Sequence, residues 1–418
     1  MLKRFLFFVA IALLLVSCGK NEITKTIAPT DTSAPLAQAT PTLAPTATPL
    51  PPTATLTSTS IPTVTPTITP TPLPVSYGPD NYPADINPLT GLKVADPKVL
   101  DRRPLGIKVN IVPRGITRPP WGLSFADIVY DYYHNSGYSR YHAIFYGEDT
   151  TQVGPVRSGR LLDDSLVRMY KSIFVYGGAD PRIDKVFLNS DYSNRLILAG
   201  YDNLPCPPKP ENPLCTFDPG GVHNLIGNTE MIRQFAAKNK IDSTRPNLNG
   251  MFFWIIPPEG GKPGTQLTVR FSSDNYNRWD YDPALGRYLL SQDDAWDQGQ
   301  GEKFAALVDR VTNQQIGADN VVILIAPHEY FVAPVEGSQG EIVDVILSGS
   351  GPAYAFRDGQ VYQVQWNRPA PDSVLYLTFA DGTNYPYKPG KTWYQVINKT
   401  SVITQPTDKS WRFEFHMP

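Results

Sequence analysis

Cysteine is scarce in this chain of 418 residues, with only Cys18, Cys206 and Cys215. No Cys/His cluster and no HExxH pair offers ligands to a metal, so no metal centre is expected. No phosphate-binding glycine loop, no GxGxxG after a strand and no GxSxG elbow is present, and no cofactor is expected. Net charge is −2, which implies no broad nucleic-acid or polyanion surface. The apolar run Phe5 to Val16 is too short to span a bilayer as a mature helix. An enzyme built on this sequence would have to use Asp, Glu, His or Ser in an arrangement that no local motif reveals.

The N-terminus carries an address. Met1-Leu-Lys-Arg4 is a basic segment before the apolar run, which ends in Leu15-Val-Ser-Cys18. This looks like a bacterial lipobox, with residues 1–18 as signal peptide and Cys18 as the lipidated residue. The bland alternative is an ordinary secretory signal with an incidental cysteine; the position of Cys18 just after the apolar run favours lipidation. Two or three acyl chains suffice for stable anchoring. The expected location is extracytoplasmic, held to the bacterial cell membrane through Cys18. Cys206 and Cys215 flank a Pro-rich loop and are expected to form a disulfide, contributing about 2–3 kcal/mol.

Residues 19–76 hold a Pro/Thr/Ala-rich stretch such as Thr63-Val-Thr-Pro-Thr-Ile-Thr-Pro70. It has too little apolar bulk to fold and reads as a disordered tether. From residue 77 the pattern predicts an α+β protein: a mixed α/β domain over 77–247, then a mostly-β domain over 248–418. In the first, strands are expected near 105–112, 126–134 and 140–146, with a helix from Ser158 and others near Pro181 and Thr229–Lys240. In the second, period-two runs alternate with turns such as Asp358-Gly359 and Asp381-Gly382.

Two places could carry chemistry. A two-residue turn at Ser136-Gly137 pairs residues whose numbers sum to 273. Asp131 then faces His142 and Tyr133 faces Arg140, with Asp127 on the same side. An Asp–His pair orients an imidazole for acid/base work; the bland alternative is a solvent-facing strand with ordinary charge pairs, and a longer turn would change the register. The second place is Val156-Arg-Ser-Gly-Arg160. Arg157 and Arg160, beside Ser158 at a helix start, suit a carboxylate or phosphate. Equally, Arg160 can pair with Asp163 or Asp164, and Arg157 with an acid of the hairpin. His223-Asn224 follows a Pro-Gly-Gly turn and either projects into a cleft or braces its loop.

These residues also carry a likeness. Asn87-Pro-Leu-Thr-Gly-Leu92, Arg103-Pro-Leu-Gly-Ile-Lys-Val-Asn110, Gly122-Leu-Ser-Phe-Ala-Asp-Ile-Val-Tyr130, Ser139-Arg140, Gly154-Pro-Val-Arg-Ser-Gly-Arg160, His223-Asn224 and Gly390-Lys-Thr-Trp393 occur in that order. The chain after the tether resembles the YerB-like lipoproteins, a bacterial family whose two domains are named only as domains of unknown function. The resemblance implies a membrane-anchored lipoprotein with a two-domain ectodomain and brings no assigned reaction. The chain departs from the family pattern in the hairpin run Asp131–Gly137 and at Val222, where proline is usual.

Three readings follow. In the first, the N-terminal domain binds an anionic or carbohydrate-bearing envelope or cell-wall polymer through Arg140, Arg157, Ser158, Arg160, His223 and Asn224. In the second, the protein is a hydrolase or transferase acting on such a polymer, with Asp131, His142 or His223 as acid/base. In the third, it is a protein–protein scaffold.

Overall fold

The computed structural model describes residues 75–198, 205–218, 221, 224–335 and 340–417. Cys18, the signal segment, the tether up to residue 74 and His223 lie outside the described residues. The N-terminal half contains β1 (Leu105–Val109), β2 (Ile128–Asn135), β3 (Tyr138–Phe145), β4 (Val153–Val156), β5 (Ile173–Tyr176), β6 (Leu196–Leu198), β7 (Leu214–Thr216) and β8 (Leu225–Gly227). Its helices are α1 (Leu161–Tyr170), α2 (Pro181–Leu188) and α3 (Thr229–Lys238). Local chemistry accounts for two helix starts. Asp180 caps α2 through the Arg182 N–H, with Pro181 in the first turn, and Asn228 caps α3 through the Met231 N–H.

The C-terminal half is mostly strand, so the α+β class holds. It supplies β9 (Gln266–Ser272), β10 (Asn275–Asp282), β11 (Arg287–Asp293), β12 (Asn320–Ile325), β13 (Gly349–Arg357), β14 (Gln360–Arg368), β15 (Tyr376–Thr378), β16 (Thr392–Ile397) and β17 (Ser410–Glu414). Asp358 and Gly359 both take positive φ, 51° and 73°, and close the β13–β14 hairpin as expected. Cys206 and Cys215 form a disulfide.

One sheet runs through both halves in the order β15-β14-β13-β12-β16-β2-β3-β1-β4-β8-β7, with β5 added to β1 and β6 to β5. The junction is β2 against β16, parallel, with Ile128 opposite Thr392. Both faces of its centre are covered, which is why β1 and β12 are buried along their whole length. On one face α1 lays Leu162, Leu166 and Met169 against Tyr130, Tyr132 and Ile144. On the other, Val129, Tyr141 and Ala143 join Ile232 of α3 and Trp279 and Leu290 of a second sheet, which contains β11-β10-β9-β17 in that order. Burying side chains of this size stabilises by roughly 1.5–3 kcal/mol each.

The hairpin departs from the expected register. Ser136 and Gly137 form the turn, at φ 52° and 83°, and Asn135 pairs with Tyr138. His134 is then an extra residue, because Tyr133 pairs with Ser139. This bulge slips the rest of β2 by one place and exchanges its faces. Asp131 consequently lies opposite Tyr141, while Tyr130 faces His142 and Tyr132 faces Arg140. Asp131 and His142 are on opposite sides of the sheet.

Candidate functional site

The partner of His142 is Asp163 on α1. Across the sheet, Lys108 of β1 stands beside His142 of β3, so both side chains rise toward the helix. Asp163 lies three residues into the N-terminal end of α1. Its Oδ2 accepts the Arg160 backbone N–H at 2.7 Å. Its Oδ1 accepts from the Tyr132 hydroxyl at 2.5 Å and from Lys108 Nζ at 3.3 Å, and His142 Nδ1 lies 2.8 Å away. Lys108 also donates to the Tyr132 hydroxyl. The side chains of Lys108, His142 and Asp163 are all 0% exposed.

Charge in such a place needs partners. Burial by itself raises the Asp163 carboxyl, but Lys108, His142 and Tyr132 together hold it well below the carboxylate range. Burial pushes Lys108 down to about 7 against the pull of Asp163, with Arg140 and Arg160 adding to the fall. Burial likewise lowers His142, so its ring is neutral near pH 7. An ionised Asp163 can only accept, which puts the imidazole proton on Nδ1. Nε2 then points over Gly106 beside Ser172 Oγ, where a Cβ would come within 2.6 Å of Nε2. Phe174 stacks on the ring at 5.4 Å.

Above this cluster lies a rim of arginines. The segment after β4 crosses the C-terminal ends of β1 and β5: the Arg157 N–H donates to the Lys108 carbonyl, and the Arg157 carbonyl accepts from Gly177 N–H. Arg157 therefore precedes the helix, and α1 starts at Leu161 instead of Ser158. Arg140 Nη1 and Arg160 Nη1 converge on the Ser158 carbonyl at 3.2 and 3.3 Å. Arg160 also donates to the Gly159 carbonyl and reaches His134 Nδ1 at 3.4 Å.

Neither Arg140 nor Arg160 forms a salt bridge among the described residues, and Arg140 Nε is buried without a hydrogen-bond partner. Burial first, then Arg160 and Arg157, push the Arg140 guanidinium down. Burial and the same arginines keep His134 neutral. Arg140 is 8% exposed, whereas Arg157, Ser158 and Arg160 are half-buried. The rim is thus a positively charged ledge at the carboxyl ends of β1 and β5, a usual place for ligands in sheets with parallel strands.

The other expected residues fall elsewhere. Asp131 faces the second sheet, where Asn277 donates to its Oδ2 at 3.1 Å. Burial pushes its carboxyl up to about 7. Asp127 braces the chain, accepting from Tyr146 N–H and Asn87 Nδ2. Asn224 also braces, donating to the carbonyls of Asp218 and Gly221. Asp164 pairs with Arg168. Among the described residues no group of His, Cys, Asp and Glu is placed to hold a metal, and no helix is long and apolar enough to cross a membrane. Sequence reasoning passed over Lys108, Tyr132 and His134, and took Asp163 only as a possible partner of Arg160. The available signal was Lys108 itself, a cation inside an otherwise apolar strand, which a buried sheet tolerates only when it is paired.

The sheet shared by two halves, with a ledge of arginines over a buried ion cluster, is an architecture that comparison places in a family. The N-terminal domain of the protein of unknown function family DUF3048 matches residues 89–242, and its C-terminal domain matches residues 267–394. Together these matches span more than half of the chain, and the chain belongs to this family. Among relatives, "Putative lipoprotein YerB" from Bacillus subtilis (strain 168) is 28% identical over 319 residues, covering 74% of this chain and 85% of its own length. The crystal structure of YerB protein from Bacillus subtilis is similar with a TM-score of 0.60 at 25% identity, covering 75% of this chain and 96% of that one.

Proposed function

We propose that the chain is an extracytoplasmic lipoprotein, anchored through Cys18 and spaced from the membrane by residues 19–76. In this reading its N-terminal domain (77–247) binds an anionic envelope ligand, and the mostly-β domain (248–418) supports it. The observation that carries the reading is Arg140, a nearly buried guanidinium beside Arg160, neither of which is in a salt bridge with a carboxylate among the described residues. An incoming carboxylate or phosphate would supply such a partner, with Arg157 and Ser158 at the mouth. A relative named as a putative lipoprotein supports the anchor, and Cys18→Ser is expected to release the protein from membranes and abolish labelling by radioactive palmitate.

Calorimetric titration of the detergent-solubilised full chain with inorganic phosphate, citrate and peptidoglycan fragments tests the ledge. Arg140→Gln and Arg160→Gln are each expected to weaken binding at least tenfold. Affinities unchanged in both variants would sink the assignment. The catalytic reading is favoured by one observation, the 2.8 Å contact between His142 and Asp163, with Asp163 taking the place first given to Asp131. It predicts turnover of labelled wall material that disappears in His142→Ala while the fold survives.

A further inference from the structure

A second cationic hollow lies at the opposite end of α1. Arg160 precedes the first turn of that helix and Lys171 is its C-cap, so the two places stand about 15 Å apart along the axis. The cavity encloses ≈ 640 Å³, and Arg103, Arg168, Lys171 and Arg195 line it. Arg103 is matched by Asp242, and Arg168 by Asp164 and Asp191. Asp242 and Asp191 are 41% and 77% exposed, so solvent screens both pairs and a ligand can compete with them.

The other two cations are less provided for. Arg195 makes no salt bridge among the described residues, and its Nε is buried without a hydrogen-bond partner. Lys171 makes none either; its Nζ donates to the Asp372 backbone carbonyl at 2.5 Å. Lys171 also holds φ 51°, the left-handed cap conformation that glycine adopts freely and that costs other residues about 1 kcal/mol. A lysine kept there, at the edge of a cavity, is a cation placed against the local backbone preference.

Size and mixed chemistry narrow the ligand. A bare phosphate would fill a small part of this volume. Asp191, Asn247 and Asp372 interrupt the cations; they suit hydroxyl groups and would repel a second nearby phosphate. Pro246 and Pro371 add two apolar ring faces. We propose that this cavity binds a phosphorylated sugar or polyol. Arg195 and Lys171 hold the phosphate, the acids and Asn247 accept or bridge hydroxyls, and the proline faces carry ring carbons. The site is independent of the arginine ledge.

The test titrates the detergent-solubilised full chain with glycerol 3-phosphate, glucose 1-phosphate, glucose and inorganic phosphate. At least one sugar or polyol phosphate is expected to bind tenfold more tightly than phosphate or glucose. Arg195→Gln should weaken that binding at least tenfold, and Arg160→Gln should leave it unchanged. Lys171→Gly relieves the backbone and is expected to raise the melting temperature while lowering affinity, which separates ligand contact from folding. A poly(glycerol phosphate) arm tells the source: tighter binding than the monomer points to a polymer, and equal binding to a free sugar or polyol phosphate. The idea fails if no phosphorylated probe outbinds phosphate, if Arg195→Gln has no effect, or if Arg160→Gln removes the binding equally.

Discussion

Asp163 and Asp131 are two fully buried carboxylates on opposite sides of one sheet, and they have opposite fates. Asp163 receives a hydroxyl, an ammonium, an imidazole N–H and a backbone N–H. Its charge is held in place. Asp131 has neutral amide donors, Asn277 and Gln395, on one oxygen, and its Oδ1 is buried without a hydrogen-bond partner. Burial therefore wins, and its carboxyl rises to about 7. Depth from solvent is the same in both; the number and charge of donors decide which carboxyl stays ionised.

Breaking the well-served side should cost most. Asp163→Ala leaves Lys108 buried without its carboxylate, and urea unfolding is expected to show a loss of about 3–5 kcal/mol. The double variant Lys108→Met with Asp163→Leu should recover much of it. The poorly served side should respond in the other direction. A carboxyl whose folded pKa is raised binds more protons in the native state between about pH 4 and 7, so its stability contribution falls as pH rises through that window. Asp131→Asn should therefore match the parent near pH 4 and exceed it at pH 8 by as much as about 4 kcal/mol, read as a pH-dependent gap in melting temperature. Asp163 has a depressed pKa, and its contribution is lost only as pH falls below about 4. The smallest effect comes from crowding. Gly106→Ala brings a methyl against His142 Nε2 and should destabilise by about 1–3 kcal/mol, visible in thermal melts at every pH.

Much of the fold was legible. Turn dipeptides and apolar runs located β1, β2, β3 and β5 but not β4, and Asp180 and Asn228 marked two helix starts. Long-range choices were not legible. The bulge at His134 carries no local signature, since it is accommodated by Arg160 from another segment. Without it every pairing beyond the bulge was read one place out, and His142 was given Asp131 instead of Asp163. Asp163 was noted only as a neighbour of Arg160, because its ties to β1, β2 and β3 appear only once α1 lies on the sheet. The ledge residues Arg140, Arg157 and Arg160 were identified from sequence because arginines in a strand-and-turn context attract notice without any knowledge of packing. In the C-terminal half, β13, β16 and β17 escaped notice; β13 opens with Gly-Ser-Gly-Pro, which reads as a loop.

The parallel seam between β2 and β16 has a consequence for biogenesis. Ile128 leaves the ribosome well over two hundred residues ahead of its neighbour Thr392. Until that neighbour follows, β2 offers a free edge of backbone donors and acceptors, the kind of template that recruits strands from other chains. An N-terminal fragment should for that reason be prone to aggregation, and the sheet should be completed only after β16 has been delivered.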